Sequence, residues 1–351
     1  MTDMINDLLE IAGDYASIAS DGIEAGDITG HINTGSMPLN ALLSGSIYGG
    51  VLIPKVTALA GEPSTGKTFY AINILKKFLE ADPNGIVVYF ETESALDLDM
   101  LEQRGINTKR VIVAEVATVQ EFRTKAMQML DFYIEKRKKG DKNPVLFVLD
   151  SLGGLSTQKE VEDIASGKDS RDMTRAQLIR GAFRVLTLKL GKAKIALIIT
   201  NHTYDIVGSY VPMKKMNGGA GLEYAASTII FLSKKKAKYA KDDTEGYGAI
   251  ITCTLKKARK TIENKKVETL LNYKTGLDPY FGLLDLSLKF GIVEKMAQGY
   301  KFPGEIKAAS KALLLTPEKF FTKEVLDLID EKCKDEFLYG KTNVTLEETS
   351  E

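Results

Sequence analysis

The sequence predicts an α/β fold with a doubly wound, mainly parallel sheet, and three observations lead to this fold class. Short apolar runs recur along the chain and have the near-continuous hydrophobic character of parallel strands that are buried on both faces. Stretches with helical periodicity separate these runs, as is typical of sheets covered by helices on both sides. A glycine-rich loop joins one of the early runs directly to a helical pattern.

The predicted elements begin with a short N-terminal helix and end with a group of short helices. An apolar stripe of Met4, Leu8, Ile11 and Tyr15 predicts a helix within residues 1–20. Strands are predicted at residues 56–60, 86–91, 111–115, 145–150, 195–200, 228–232, 248–255 and 267–273. Helices are predicted after the glycine-rich loop, at residues 119–137, at about 173–190, and as short segments between about 300 and 345.

These elements divide the chain into three predicted parts. Residues 1–35 are expected to form the helix and a linker that contact a second subunit. Residues 36–295 are expected to form the α/β core, and residues 296–351 a small C-terminal lobe with a short acidic tail. A length of 351 residues suits one large core with small appendages.

Composition and charge exclude several classes of protein. No apolar run approaches the roughly 20 residues that span a bilayer. Two cysteines, Cys253 and Cys333, give no disulfide framework or metal cluster, so we expect a protein of the reducing cytoplasm. Residues 1–54 carry seven acidic and no basic residues, whereas residues 234–266 carry eleven basic and four acidic ones. Such opposite charges steer one copy onto another, although solvated surface is an equally good explanation.

Residues 61–68, GEPSTGKT, match the phosphate-binding pattern G-x-x-x-x-G-K-[ST] at every fixed position. Successive N–H groups of such a loop converge on a phosphate, and the next helix presents the positive end of its dipole. Lys67 is predicted to reach the β- and γ-phosphates of a nucleoside triphosphate, and the Thr68 hydroxyl to bind Mg²⁺. The residues predicted to bind the nucleotide are Gly61, Glu62, Pro63, Ser64, Thr65, Gly66, Lys67, Thr68 and Phe69.

Acidic and polar side chains follow three predicted strands, at the edge where ligands of open α/β sheets bind. Asp150 closes the run VLFVLD and is predicted to hold Mg²⁺ together with Thr68. Glu91 and Glu93 follow another strand, and one of them is predicted to polarise an attacking water; a pair of surface glutamates is the alternative. His202 is predicted to hydrogen-bond near the γ-phosphate as a neutral group, with a generic loop histidine as the alternative.

Two long segments, residues 156–172 and 203–221, leave the same edge of the sheet and are predicted to be irregular. Their basic side chains suit a phosphate backbone, and their apolar side chains suit wedging against bases. The candidate nucleic-acid-binding residues in them are Lys159, Lys168, Arg171, Tyr210, Val211, Met213, Lys214 and Lys215. Lysine-bearing loops are also common in proteins that bind no nucleic acid, so the segments alone leave this function open.

Several longer motifs cover the chain from about Ile32 to Val293. They are INTGSMPLNALLSGSIYGG, ETESALD, VLFVLDSLGGL, KEVEDIASGKDSRDMTRAQ, TNHTY, NGGAGLEYAAS and GLDPYFGLLDLSLKFGIV. This set resembles the RecA-type strand-exchange recombinases, and among them the UvsX recombinases of tailed phages. The resemblance implies a single-stranded-DNA-dependent ATPase that forms a helical filament on that DNA, pairs it with homologous double-stranded DNA and hydrolyses ATP between subunits. It also implies a recombination mediator and a single-stranded-DNA-binding protein as partners.

The resemblance implies roles for individual residues. Glu93 is similar to the catalytic glutamate that activates water, and His202 to the residue that couples the γ-phosphate to the next DNA-binding segment. Lys257 and Arg259 resemble a basic pair that reaches the ATP of a neighbouring subunit. Met100 stands where the family places an aromatic residue on the adenine.

The remaining implications concern DNA and assembly. Residues 156–172 and 203–217 are similar to the two DNA-binding loops of the family, and Arg175 of the DMTRA motif is expected to contact DNA beside them. The acidic N-terminal helix resembles the element that links one subunit to the next.

Two other functions share part of this pattern. A hexameric RecA-fold DNA helicase has the same phosphate loop and catalytic glutamate, but the DMTRA and NGGAGLEYAAS motifs disfavour it. A non-hydrolysing paralogue that acts as an adaptor shares the fold. The intact set of Lys67, Thr68, Glu93 and Asp150 argues against that alternative.

Overall fold

The computed structural model describes residues 2–12, 18–23, 26–168, 172–205, 214–218, 220–238 and 246–340. The helices are α1 (Thr2–Ala12), α2 (Met37–Ser44), α3 (Lys67–Ala81), α4 (Leu98–Glu102), α5 (Val119–Lys138), α6 (Gln158–Ala165), α7 (Arg175–Ala193), α8 (Ala220–Ala225), α9 (Leu283–Lys289), α10 (Ser310–Leu315) and α11 (Lys323–Phe337). Within the described ranges, no helix combines the length and the apolar character that crossing a membrane requires.

The strands are β1 (Gly30–Ile32), β2 (Val51–Ile53), β3 (Val56–Gly61), β4 (Ile86–Glu91), β5 (Val111–Glu115), β6 (Val145–Asp150), β7 (Ala196–Asp205), β8 (Lys214–Met216), β9 (Thr228–Ala237), β10 (Gly248–Ala258), β11 (Lys266–Asn272), β12 (Gly276–Leu277), β13 (Glu294–Met296), β14 (Gly299–Phe302) and β15 (Ile306–Ala308). All eight predicted strands are present. Single turns of 3-10 helix lie at Ala19–Asp21, Thr108–Arg110, Leu152–Gly154, Pro303–Glu305 and Pro317–Lys319.

A large central sheet has the strand order β12-β11-β10-β9-β3-β7-β6-β4-β5, and β8 pairs with the end of β7. The strands from β9 to β5 are parallel to one another, whereas β10, β11 and β12 extend the sheet in antiparallel fashion. The predicted α/β class with a mainly parallel sheet is therefore confirmed. Because parallel strands end at one edge, this sheet places the ends of β3, β4, β6 and β7 side by side.

Helices cover both faces of the sheet and bury two apolar clusters. On one face α3 contributes Tyr70 and Leu75, which pack with residues of α2 and α11. On the other face α5 and α7 contribute Phe122 and Phe183, and Phe122 meets Phe90 of β4 edge to face at 5.1 Å between ring centroids. Full burial of such side chains stabilises the fold by about 1.5–3 kcal/mol each. This packing fixes the strands on which the functional side chains lie.

Among the described residues of the two long segments (156–168, 172, 203–205, 214–218 and 220–221), the predicted irregularity is wrong where a helix or a strand forms. Residues 156–172 contain α6, which begins with a capping box in which Thr157 and Glu160 bond reciprocally to each other's backbone N–H. Residues 203–221 begin as the end of β7, which pairs with β8 in the register Thr203↔Met216 and Asp205↔Lys214, and they end within α8. Long-range pairing and local capping supply the regular structure that the sparse apolar pattern did not indicate.

The C-terminal part also differs from the prediction of short helices alone. Strands β13, β14 and β15 form a separate antiparallel sheet before α10 and α11. Helix α11 is tied to the rest of the chain through Asp330, which accepts the backbone N–H of Ile47 at 2.8 Å. Burial alone raises the pKa of Glu336, but hydrogen bonds from Lys265 and Lys289 outweigh it and lower that pKa below its ordinary value. These contacts anchor the helix by charge as well as by apolar packing.

Candidate functional site

The phosphate loop follows β3 in a conformation that two of its glycines make possible. A Cβ atom at Gly61 would lie 2.6 Å from the Thr65 hydroxyl oxygen and 2.9 Å from the Leu232 carbonyl oxygen, so only glycine fits there. Gly66 has φ 91°, in the left-handed region, and directly precedes α3. The helix therefore begins at Lys67 with its first N–H groups facing the loop, an arrangement that favours an anion.

Lys67 is buried beside the loop that it serves. Its Nζ donates to the carbonyl oxygens of Gly61 at 3.1 Å and Glu62 at 2.9 Å, and it lies 3.4 Å from Nδ1 of His202. Burial lowers the pKa of Lys67, and the nearby Asp150 and Glu93 carboxylates oppose that shift. Main-chain carbonyls thus hold the ammonium group where a phosphate would compete for it.

Glu93 and His202 meet at the same edge of the sheet. Glu93 Oε1 lies 3.4 Å from His202 Nε2 and accepts a hydrogen bond from the Ser151 hydroxyl. Lys67 has only donors and an ionised Glu93 has only acceptors, so Nδ1 of His202 faces a donor and Nε2 faces an acceptor. The neutral, hydrogen-bonding role of His202 near a γ-phosphate stays a prediction.

The electrostatic environment of Glu93 keeps its carboxyl group ionised. Burial raises its pKa, but hydrogen bonds with Ser151 and His202, and the charge of Lys67, outweigh burial and lower it. Ser151 was not identified from the sequence, although it directly follows Asp150. Its hydroxyl also accepts the Gly154 N–H at 3.2 Å, which fixes the turn after β6.

Glu91, the other predicted candidate, has a different position. Its buried carboxylate accepts three backbone N–H groups, those of Glu93 at 3.2 Å, Ser94 at 2.7 Å and Ala95 at 3.0 Å. It therefore shapes the turn that carries Glu93, while Glu93 itself faces Lys67 and His202. The structure separates two carboxylates that sequence reasoning left as alternatives.

Asp150 is buried at the end of β6, with both carboxylate oxygens in hydrogen bonds. The Tyr89 hydroxyl donates to Oδ2 at 2.6 Å, and the Thr200 hydroxyl donates to Oδ1. Both donors lie on neighbouring strands and were not identified from the sequence. Thr68 lies half-buried in the first turn of α3. Among the described residues, no group of three or more His, Cys, Asp or Glu side chains is arranged to hold a metal ion.

A polar network connects His202 to the segments predicted to bind DNA. The backbone oxygen of His202 accepts the Asn217 N–H at 2.9 Å, and the Asn201 amide donates to the Asn217 carbonyl at 2.8 Å. Arg175 donates to the Asn217 side chain at 3.2 Å and to the Gly153 carbonyl at 3.0 Å. In the structure this predicted DNA-binding residue joins the turn after β6 to the residues after β8.

The other predicted DNA-binding residues fall into two groups. Lys159 and Lys168 are exposed on and after α6, and Lys214 and Lys215 are exposed on β8. Lys214 also pairs with the Glu62 carboxylate of the phosphate loop. Arg171, Tyr210, Val211 and Met213 lie outside the described residues.

The predicted nucleotide-binding residues beyond the loop lie around α3 and α4. Phe69 lines a cavity of about 410 Å³ together with Gln103, Arg104 and Tyr273, and the Arg104 guanidinium lies 5.4 Å from the Phe69 ring centroid. Met100 lies on α4 and packs against the apolar core, where it adjoins Gln103 and Arg104 in a shallower depression. The sequence did not identify Tyr273 or Arg104 as neighbours of this space.

Lys257 and Arg259, the predicted contacts to a neighbouring subunit, lie at the end of β10. Their side chains donate to the carbonyl oxygens at the C-terminal end of α8, from Arg259 to Tyr224 at 3.2 Å and from Lys257 to Glu223 and Tyr224. Burial lowers the pKa of Lys257, and the nearby Arg259 adds to that shift. The two cations thus satisfy a helix terminus within their own chain.

Comparison with known proteins shows which family the chain resembles. Residues 12–278 match the RecA N-terminal domain family. The chain is 30% identical over 262 residues to the recombination and repair protein of enterobacteria phage T4, a match that covers 75% of this chain and 64% of that protein. It is 27% identical over 275 residues to protein RecA of Desulforapulum autotrophicum, covering 78% and 74% of the two chains. It is 26% identical over 276 residues to protein RecA of Nocardioides sp., covering 76% and 75%.

These matches confirm the resemblance that the sequence motifs indicated. They extend over the phosphate loop, the strand ends that carry Glu93, Asp150 and His202, and the antiparallel extension of the sheet. The chain belongs to the RecA family.

Proposed function

We propose that this protein is an ATP-dependent strand-exchange recombinase of homologous recombination and repair. It assembles on single-stranded DNA as a helical filament, pairs that strand with a homologous duplex and hydrolyses ATP between adjacent subunits. One observation carries the proposal: the contacts Lys67–His202–Glu93 join the phosphate loop to β7, and β7 leads directly into a segment predicted to bind DNA. Through such contacts, the state of the bound nucleotide changes the affinity for DNA.

The site residues divide the hydrolysis reaction among themselves. Lys67 stabilises negative charge on the β- and γ-phosphates, and the ionised Glu93 orients a water and accepts its proton. The water oxygen bonds to the γ-phosphorus, the bond from that phosphorus to the bridging oxygen breaks, and ADP and phosphate result. Ser151 and His202 act as positioning residues because they hold the Glu93 carboxylate.

Mg²⁺ fits the donors that this site offers. Asp150 and Thr68 supply a carboxylate and a hydroxyl oxygen, and Mg²⁺ in nucleotide sites is usually held by one or two such groups together with phosphates. When bound, Mg²⁺ neutralises phosphate charge. Tyr89 and Thr200 restrain the Asp150 carboxylate from two neighbouring strands, which keeps its oxygens at the end of β6.

The base and the neighbouring subunit complete the proposed nucleotide site. The cavity beside Phe69 and the depression beside Met100 adjoin the helix that follows the phosphate loop, so we assign the adenine to this region. Lys257 and Arg259 exchange their carbonyl partners on α8 for the phosphates of a neighbour's ATP as subunits assemble. This exchange makes assembly depend on nucleotide.

The remaining assignments concern DNA, partners and the parts of the chain. Four exposed lysines bind the phosphate backbone of DNA: Lys159, Lys168, Lys214 and Lys215. A mediator and a single-stranded-DNA-binding protein are the proposed partners, and the proposed place of action is the cytoplasm, of the host if a phage encodes the chain. Residues 1–35 link subunits, residues 36–295 bind ATP and DNA, and residues 296–351 form a C-terminal lobe.

Joint-molecule formation tests this function. We expect the protein to convert circular single-stranded DNA and a homologous linear duplex into joint molecules on a gel, in the presence of ATP and Mg²⁺. A heterologous duplex and an ATP-free reaction are the controls, because pairing between strands supplies the sequence specificity. DNA-dependent ATP hydrolysis without any joint molecules would contradict the recombinase assignment.

Replacing His202 should uncouple the nucleotide from DNA. His202→Ala removes the side chain that contacts both Lys67 and Glu93 while leaving the loop in place. Couplings between sites typically change affinity 5- to 150-fold. A non-hydrolysable ATP analogue is expected to tighten the binding of single-stranded DNA to the wild type. In the variant, we expect this ratio of affinities to fall by about tenfold or more. Fluorescence anisotropy of a labelled oligonucleotide, with and without the analogue, measures this ratio.

His31→Ala is the matched control, because His31 is the chain's other histidine and is exposed on β1. It should keep the wild-type ratio. A His202→Ala variant that binds the analogue and still tightens on DNA as the wild type does would exclude the coupling role.

A further inference from the structure

The phosphate loop has a second, charged contact with the strand pair that leads to DNA. Glu62, in the loop, places its carboxylate on the ammonium group of Lys214, the first residue of β8. The two side chains remain 54% and 39% exposed, respectively. Exposed ion pairs are weak, so this pair can be exchanged for another partner. An exchangeable ion pair suits a conformational switch better than a permanent structural contact.

Glu62 also holds the lysine that serves the nucleotide. Its main-chain oxygen accepts hydrogen bonds from Lys67 Nζ at 2.9 Å and from the Thr65 hydroxyl at 2.8 Å. Glu62 therefore contacts two lysines. Its main-chain carbonyl accepts a hydrogen bond from Lys67, and its carboxylate pairs with Lys214. A phosphate group entering the loop draws Lys67 away from the carbonyl, and its negative charge repels the Glu62 carboxylate.

The two lysines are not equivalent in their access to anions. Lys67 is buried beside the phosphate loop, so the anion available to it is a nucleotide bound in that loop. Lys214 is exposed on β8, so it can contact anions from solvent. Strand β8 pairs with β7 in the register Asp205↔Lys214, three residues beyond His202. The loop thus contacts this strand pair twice, through His202 and through Lys214.

We propose that the Glu62–Lys214 ion pair withholds Lys214 from DNA when no nucleotide is bound, and that nucleotide phosphates release it to contact a phosphate of single-stranded DNA. This inference rests on the proposed function. The phosphate loop would then be coupled to DNA in a second way, besides the contacts of His202. In this second coupling, the Glu62 carboxylate and a DNA phosphate compete for the ammonium group of Lys214. The chemistry requires no change in covalent structure.

The decisive variant is Glu62→Gln, which keeps the shape of the side chain and removes its charge. Without nucleotide, we expect the dissociation constant for a labelled oligothymidylate to fall about 2- to 5-fold, the range of one exposed ion pair. The slope of log K against log salt should steepen by about 0.7 per subunit, because one more lysine contacts the single strand. With a non-hydrolysable ATP analogue, affinity should equal that of the wild type.

Two lysine variants separate this contact from general charge effects. Lys214→Met should weaken DNA binding only when the analogue is present, whereas Lys215→Met, on the adjacent residue, should weaken it by the same factor in both states. In the Lys214→Met background, Glu62→Gln should have no effect without nucleotide. Glu80→Gln also removes one negative charge, but Glu80 lies about 20 Å from the start of α3. This variant should leave DNA affinity unchanged in both nucleotide states.

Binding of a fluorescent ATP analogue to each variant confirms an intact nucleotide site. The inference is wrong if Glu62→Gln leaves the nucleotide-free affinity and salt slope unchanged, or tightens both states equally, while the wild type shows nucleotide-dependent DNA binding. A wild-type protein that does not bind the oligonucleotide in either state would overturn the proposed function, and this inference with it. The two failures are therefore distinct.

Discussion

Replacing Glu93 by Gln is expected to abolish ATP hydrolysis while leaving ATP bound. The amide keeps the size of the side chain and can still accept the Ser151 hydrogen bond, but it cannot take a proton from water. General base catalysis typically contributes 10²- to 10⁴-fold, so we expect a fall of about that size in the DNA-stimulated rate of phosphate release. The dissociation constant of a fluorescent ATP analogue should change by no more than a few-fold.

Two neighbouring glutamates make the Glu93 experiment specific. Glu115 lies opposite Glu91 in the β4–β5 register, so Glu115→Gln removes a negative charge from the same edge of the sheet, and it should retain wild-type turnover. Glu91→Gln should instead loosen the turn at residues 93–95, which shows as lower thermal stability together with lower activity. A Glu93→Gln variant that hydrolyses ATP within a few-fold of the wild-type rate would remove Glu93 from the mechanism.

Breaking the apolar stripe of α1 is expected to abolish filament formation. Met4, Leu8 and Ile11 are 69%, 55% and 83% exposed within the single chain, although an amphipathic helix of this length is marginal in water without a partner surface. We propose that a second copy covers the stripe. Leu8→Asp together with Ile11→Asp, or deletion of residues 1–30, should reduce light scattering on DNA to the level of unassembled protein. Binding of the fluorescent ATP analogue to the single subunit should persist.

A second pair of variants tests whether charge guides this assembly. Asp7→Asn with Glu10→Gln keeps the apolar stripe and removes two of the acidic charges that the basic segment 234–266 of another copy would attract. We expect a moderate loss of scattering relative to the wild type at low salt, and this difference should shrink as salt rises because exposed charges are then screened in both proteins. Unchanged polymerisation in both the apolar and the deletion variants would show that α1 does not link subunits.

The eight predicted strands of the central sheet could be placed because each contains an apolar run of its own. Residues 86–91 and 145–150 were placed correctly, since burial on both faces requires uninterrupted hydrophobic side chains. The sheet β13–β15 was missed because its strands are short and include charged residues on exposed positions. Extension of β7 to Asp205 depends on pairing with β8, and such pairing is not encoded within either segment alone.

The candidate site was predictable where one short motif supplies the chemistry. The phosphate loop is local, so Lys67 and Thr68 follow from eight consecutive residues. Ser151 was missed because its importance arises from contact with Glu93, which lies 58 positions away in the chain. Tyr89 was missed because a tyrosine within an apolar strand is read as core, and only the fold aims its hydroxyl at Asp150. The choice of Glu93 over Glu91 came from the family resemblance, and the hydrogen bonds of the turn show how differently the two carboxylates are placed.

Coupling of ATP to single-stranded DNA in a filament can be tested by measuring ATP hydrolysis with and without that DNA and imaging the same samples by negative-stain electron microscopy. We predict strong stimulation by DNA together with helical filaments. Closed rings would favour a hexameric helicase, and the absence of both DNA-stimulated turnover and filaments would contradict the account.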